Sequence, residues 1–227
     1  MEILIPEFKI ERRVRAMAHR ISEEHKASGD TMPPVMICVL NGGFAFFSDL
    51  VKDILDVNAT DIEGEFGMPD VIWASPPCTT FSVSSIGCHW MGGTGAYIPK
   101  TDKCRNNIDV VKKSNSIIRY FLHKNPNLLY YIENPRGVLR KLDLMNWTTY
   151  RKTIWYCQYG DKRAKPTDIW TNDFNWIPRP VCKNGNPNCH HERAPRGSRT
   201  GTQGLKGNYE RSIVPSELCK EILKGLI

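Results

Sequence analysis

Short, unbroken apolar runs constrain this chain more than any other feature. PVMICVL (34–40) and VIWAS (71–75) show no alternation of polar and apolar residues, and LLYYIEN (128–134) keeps its apolar character until Glu133. A strand with one wet face alternates. A strand covered on both faces does not, as is usual for parallel strands sandwiched between helices. Gly42-Gly43 break the first run and Pro76-Pro77 stop the second, while TIWYC (153–157) reads as a further strand. Between these runs the period changes to that of a helix. Ile10, Val14, Met17 and Ile21 share one stripe over 8–28, and Phe47, Leu50, Val51 and Ile54 mark a second helix. Ile108, Val111, Ile118 and Leu122 mark a third from about Asn106 to His123, and Leu218, Ile222 and Leu226 follow Pro215. Alternating strands and helices predict an α/β fold with a doubly wound, mostly parallel sheet. Ligands of such sheets sit beyond the carboxyl ends of the strands, where Cys78 and Glu133 fall. The stretch 78–103 reads as a long loop, and 171–212 lacks regular periodicity.

Composition narrows the class. At 227 residues the chain is one domain or a domain with an appendage, and 41% hydrophobic residues suffice for a core. A formal charge of +7 favours a polyanionic partner. No apolar run approaches the roughly 18 residues of a membrane span. The first residues place charges after the apolar positions and carry no small-residue cleavage site, which predicts a cytoplasmic protein. The 8 cysteines point to chemistry, metal or buried thiols rather than a disulfide framework. Cys182, Cys189, His190 and His191 gather in one aperiodic stretch as candidate zinc ligands. The gap between the two cysteines is wider than the usual spacing, and a polar recognition loop with incidental thiols is the alternative. Arg193, Arg196, Arg199, Lys206 and Arg211 lie among glycines at spacings that suit phosphate contacts, or a solvated basic loop.

DVIWASPPCTTFS (70–82) resembles the Pro-Cys motif of DNA cytosine-C5 methyltransferases, and IENPRGV (132–138) resembles their Glu-Asn-Pro motif. QYGDKRAKPTDIWTN (158–172) resembles the Arg-containing motif in its bacteriophage form, and CKNG, APRGS, GTQG and RSIVPSELCKEI resemble the tail of those enzymes. The resemblance spans about 51–227. It implies that Cys78 adds to C6 of cytosine, since C5 is a poor nucleophile until a thiolate has done so. It implies that Glu133 holds N3 and the exocyclic amine, that Asn134 and Pro135 shape its turn, and that Arg163 positions Glu133 and the nucleotide. The base must leave the helix stack to be reached. The implied partners are DNA and S-adenosylmethionine, the latter held by Asp53, Pro77 and Ser212. The region 173–212 stands as a small recognition and tail segment. The tryptophans read as core, with His89-Trp90 as a candidate contact to DNA or the flipped base.

The first fifty residues read differently. Residues 1–50 resemble the N-terminal part of hypoxanthine-guanine phosphoribosyltransferases. Leu40-Asn41-Gly42 stands where that family has Leu-Lys-Gly, and its acidic phosphoribose loop does not occur, which argues against a working phosphoribosyltransferase. The Phe-x-Gly-x-Gly loop of the methyltransferases is absent too. The chain reads as a chimera with its junction near VKDILDVNATDI (51–62). Gly42-Gly43, between a buried strand and a helix, have the local geometry of a cofactor loop, with a plain tight turn as the alternative. Three functions follow in order of preference: a cytosine-C5 methyltransferase, impaired in cofactor binding or not, an inactive DNA-binding module, and a nucleotide binder.

Overall fold

The computed structural model describes residues 58–92, 97–183, 185–192 and 212–224. The helix of 8–28, the strand PVMICVL, the Gly42-Gly43 turn, the helix ending near Ile54, Asp53, the proposed boundary at residue 50 and the basic stretch 193–211 lie outside them. The described elements run α1 (Ala59–Phe66), β1 (Val71–Ala74), a 3-10 turn (Val83–Ser85), α2 (Ile86–His89), β2 (Trp90–Met91), β3 (Ile98–Pro99) and α3 (Asp102–Lys124). They continue with β4 (Leu129–Pro135), two 3-10 turns (Leu139–Lys141, Asp143–Met145), β5 (Tyr150–Trp155), a 3-10 turn (Tyr156–Tyr159), β6 (Pro166–Thr171) and α4 (Ser216–Lys224).

Four strands form one sheet in the order β1-β4-β6-β5. β1 and β4 pair in parallel, whereas β6 is antiparallel to both β4 and β5. β1, β4 and β5 therefore run the same way, and β6 is the reversed strand between two of them. The expected parallel direction holds for these three strands. β6 is the element that sequence periodicity misses. It begins at Pro166, a position that tolerates proline because it opens the strand. It also carries Asp168 in its interior, fully buried, which reads as a turn residue in sequence. The burial is offset by a partner set drawn from two other elements. Arg140 donates from Nε to Oδ2 at 2.7 Å and from Nη2 to Oδ1, and Thr153 on β5 donates to Oδ1 at 2.8 Å.

Both faces of the sheet are covered, which is why its runs do not alternate. Tyr130 and Ile132 of β4 pack with Cys104, Val111 and Ile118 of α3. Tyr131, one residue between them, packs with Val71, Trp73, Ile154 and Ile169 and with Leu218 and Ile222 of α4. The helix α3 starts earlier than the apolar stripe suggests. Thr101 caps it by accepting a hydrogen bond from Cys104 N, and Asp102 in the first turn and His123 and Lys124 in the last complement its dipole. No helix among the described residues is long and apolar enough to cross a membrane.

The described residues after Cys78 are structured rather than an open loop. They hold the 3-10 turn, α2 and an antiparallel β2–β3 ribbon. Trp90 is buried against Phe81 and Tyr97, and its Nε1 donates to Thr80 O at 2.6 Å. It is thus a core residue and not a contact to a base. His89 Nδ1 lies 2.8 Å from Thr101 Oγ1, at the start of α3. TIWYC is also corrected: the strand stops at Trp155, and Tyr156 and Cys157 enter a 3-10 turn closed by Gly160 at φ 84°.

Removing Arg140 leaves the Asp168 carboxylate buried without its cation. Arg140→Ala should destabilise the fold by about 3–5 kcal/mol in urea unfolding, and pairing it with Asp168→Leu should recover most of that loss. At Gly137 a Cβ would lie 2.1 Å from Phe81 O, so the chain segments meet there only without a side chain. Gly137→Ala should lower stability by about 1–3 kcal/mol in the same measurement.

Candidate active site

The parallel register aligns Ala74 with Ile132, so the next residues, Ser75 and Glu133, lie at neighbouring strand ends. Beyond β1 the chain passes through buried Pro76 and Pro77 to the half-buried Cys78. Several contacts hold this turn. The Cys78 carbonyl accepts hydrogen bonds from Phe81 N and Ser82 N, both at 3.1 Å. Asn107 on α3 donates to Thr80 Oγ1 at 2.9 Å and to Thr79 Oγ1 at 3.3 Å. Asn134 Nδ2 donates to Pro76 O at 2.9 Å, tying the end of β4 directly to the Pro-Pro-Cys segment. Ser82 bridges to Gly137, and Val138 N donates to Phe81 O at 2.7 Å. Cys78 and the Glu133 segment are thereby parts of one hydrogen-bonded unit.

Glu133 is buried at 5% exposure and is met by two side chains from the β5–β6 connection. Tyr156 donates its hydroxyl to Oε1 at 2.8 Å, and Lys165 Nζ lies 3.8 Å from the same oxygen. Burial, then the charge of Glu133, pushes the Tyr156 hydroxyl well above its usual range, so it stays a donor. Lys165 and Arg163 both lie over the Tyr156 ring, at 4.4 and 5.6 Å from its centroid. Arg163 Nε donates to Asp161 at 2.9 and 3.0 Å, and its Nη2 donates to Asp161 and, at 3.0 Å, to Ile213 O. Burial would raise the Asp161 carboxyl, but the bonds from Arg163 outweigh it and the net shift is downward. Asn134 Oδ1 is buried and has no hydrogen-bond partner among the described residues.

The structure therefore brings Cys78, Glu133 and Asn134 to one strand edge, with Arg163 behind Tyr156. Pro77 is buried in the same turn, and Ser212 is half-buried beside Ile213. Gly42, Gly43 and Asp53 lie outside the described residues. Sequence reasoning did not single out Tyr156 and Lys165, the side chains that meet Glu133. Each lies near a recognisable segment, but neither has a sequence signature of its own.

A second cluster lies beyond β5 and β6. The ligand atoms of Cys157, Cys182, Cys189 and His191 lie within 4.8 Å of one another. Cys157 was not among the residues expected from sequence. His190 was, and it turns elsewhere: its Nε2 lies 3.1 Å from Asp161 O. Burial pushes the Cys157 thiol up to about 12.

No protein-family model matches the chain. The chain is 31% identical over 193 residues to a probable DNA (cytosine-5)-methyltransferase of Frog virus 3 (isolate Goorha), a match covering 78% of this chain and 84% of that relative. The similarity extends over most of both proteins, and it bears out the resemblance carried by the Pro-Pro-Cys and Glu-Asn-Pro segments. With these two segments hydrogen-bonded at adjacent strand ends, the chain belongs to the DNA (cytosine-5)-methyltransferase family.

Proposed function

We propose that this protein methylates C5 of cytosine in DNA through a transient bond between Cys78 and C6 of the base. The observation that carries the reading is the joint placement of the Cys78 turn and Glu133 by the β1–β4 pair and the Asn134–Pro76 bond. In this mechanism the Cys78 thiolate adds to C6, and the ring electrons move toward C5. The Glu133 carboxyl, facing N3 and the exocyclic amine, shares a proton with N3 and so offsets the negative charge that develops on the ring. C5 would then take the methyl group as the donor's sulfur–carbon bond breaks and its sulfur becomes neutral. Loss of the C5 proton to a water molecule expels Cys78 as a thiolate by β-elimination and restores the aromatic ring. Tyr156 and Lys165 hold the Glu133 carboxyl in place, and Arg163 supports Tyr156 from behind.

S-adenosylmethionine, when bound, supplies an electrophilic methyl group on a sulfonium. The described residues suit it. Pro77 and Ser212 lie in the segments that flank the Cys78 turn and Arg163, and Asn134 Oδ1 is a buried acceptor at that edge without a partner among the described residues. Asp53 and the Gly42-Gly43 turn are proposed for the rest of the cofactor. Replacement of the family's glycine-rich loop in that region makes a weakened hold on the donor part of this reading. Residues 51–227 would form the catalytic core, with 173–212 as a small recognition and tail segment and the basic residues 193–211 on the phosphates. The protein would act in the cytoplasm of a bacterial host, as a phage-type enzyme does.

The test is transfer of labelled methyl groups from S-adenosylmethionine to DNA, with 5-methylcytosine identified by mass spectrometry after nuclease digestion. Cys78→Ser should abolish transfer while leaving DNA binding in place. DNA binding without any transfer by the unaltered protein would replace this reading with an inactive DNA-binding module. Tyr156→Phe keeps the ring but removes the donor to Glu133. Its kcat/KM should fall by about tenfold to a hundredfold, in line with about 1.5–3 kcal/mol for a hydrogen bond to a charged group.

A further inference from the structure

We propose that Cys157, Cys182, Cys189 and His191 bind one structural zinc ion that clamps the 182–191 loop to the turn following β5. Three thiols and an imidazole from two separate chain segments converge, with their ligand atoms within 4.8 Å of one another. In a tetrahedral site with Zn–S near 2.3 Å, neighbouring ligand atoms lie about 3.8 Å apart, so the cluster needs only a small contraction. His191 Nδ1 already lies 3.8 Å from Cys182 Sγ. Soft thiolates with one imidazole select zinc over hard cations, and four protein ligands leave no open position, which makes the site structural rather than catalytic.

The surroundings match a charged thiolate cluster. Side-chain amides point at all three sulfurs. Asn186 Nδ2 lies 3.5 Å from Cys182 Sγ, and Gln158 Nε2 lies 3.7 Å from Cys189 Sγ and 3.8 Å from Cys157 Sγ. Such donors stabilise metal-bound thiolates from behind. The loop is shaped to deliver its ligands. Asn186 N donates to Lys183 O and Cys189 N to Asn186 O, turning Cys189 back toward Cys182. Trp155 and Ala164 pack against the three cysteines. Loading has one local consequence. With Nδ1 on the metal, His191 carries its ring proton on Nε2, so the hydrogen bond from Gly185 N to Nε2, 3.1 Å in this structure, is given up.

The clamp joins two parts of the molecule that already touch through His190 Nε2 and Asp161 O, 3.1 Å apart. Cys157 directly follows Tyr156, the donor to Glu133, and Glu192 N donates to Lys162 O in the turn that carries Arg163 and Lys165. Zinc at this point would fix the wall of the candidate active site from outside it.

The experiment measures metal, not methyl transfer, so it stands or falls apart from the proposed function. The full chain is purified under reducing conditions without chelator from zinc-supplemented medium and assayed by elemental analysis. The metal-free protein is then loaded with Co(II). About one zinc per chain and the intense visible bands of tetrahedral cobalt with a thiolate charge-transfer band are expected. Cys189→Ser and His191→Ala should each lower bound zinc at least about fivefold, while His190→Ala and Cys88→Ser retain it. The cobalt spectrum of the unaltered chain keeps the test valid if a variant fails to fold. A zinc-free protein with no tetrahedral cobalt spectrum would overturn the proposal. So would zinc retained in both ligand variants, or a disulfide among these cysteines in the purified protein.

Discussion

The parallel pairing of β1 with β4 is the contact on which the rest of the described structure depends. Parallel strands need a covered crossover, and here α3 supplies it, capped by Thr101 and packed on the very face that β1 and β4 share. The pairing places two chain ends side by side, one running into Pro76-Pro77-Cys78 and the other into Glu133-Asn134-Pro135. Asn134 then joins them through Pro76 O, and Gly137 lets the outgoing chain pass within contact of Phe81. The geometry of the candidate site is thus a property of strand register. A slip of one residue would move Glu133 to the opposite face and away from Tyr156.

The reversed strand β6 adds a second constraint of a different kind. It fills the gap between β4 and β5 and brings a buried carboxylate into the middle of the sheet. A buried charge of this sort is unfavourable by itself and persists only with its partners in place. Arg140 comes from the 3-10 turn just beyond Glu133, so the ion pair anchors the segment leaving the site. The chain before β6 carries Tyr156, Arg163 and Lys165 to the other side of Glu133. The site is therefore enclosed by the connection leaving β4 and the connection entering β6, and its members come from segments far apart in sequence.

The same economy applies to the cysteine-rich cluster. Its four groups are contributed by the turn after β5 and by the segment 182–191, and they meet because the chain leaving β6 at the opposite end of the sheet returns to that turn, where Arg179 N donates to the Tyr159 hydroxyl at 3.0 Å. Cys157 is invisible as a ligand in sequence because nothing near it has metal-binding spacing. His190 is conspicuous there for the opposite reason, standing next to His191, yet adjacent side chains on an extended segment point apart and only one can face the cluster.

What the sequence determined by itself is the family and the α/β class. Unbroken apolar runs demand strands covered on both faces, and the structure covers them with α3 and α4. The Pro-Pro-Cys and Glu-Asn-Pro segments point to the family that the viral relative bears out, because those signals are local and survive as short words. What only the tertiary structure decided is how distant residues meet. Tyr156 and Lys165 become partners of Glu133, Cys157 joins Cys182, Cys189 and His191, and Trp90 is withdrawn into the core. The strand β6 was hidden for the same physical reason. A buried aspartate reads as a turn until the arginine that neutralises it is brought to its side, and that arginine lies on another element of the fold.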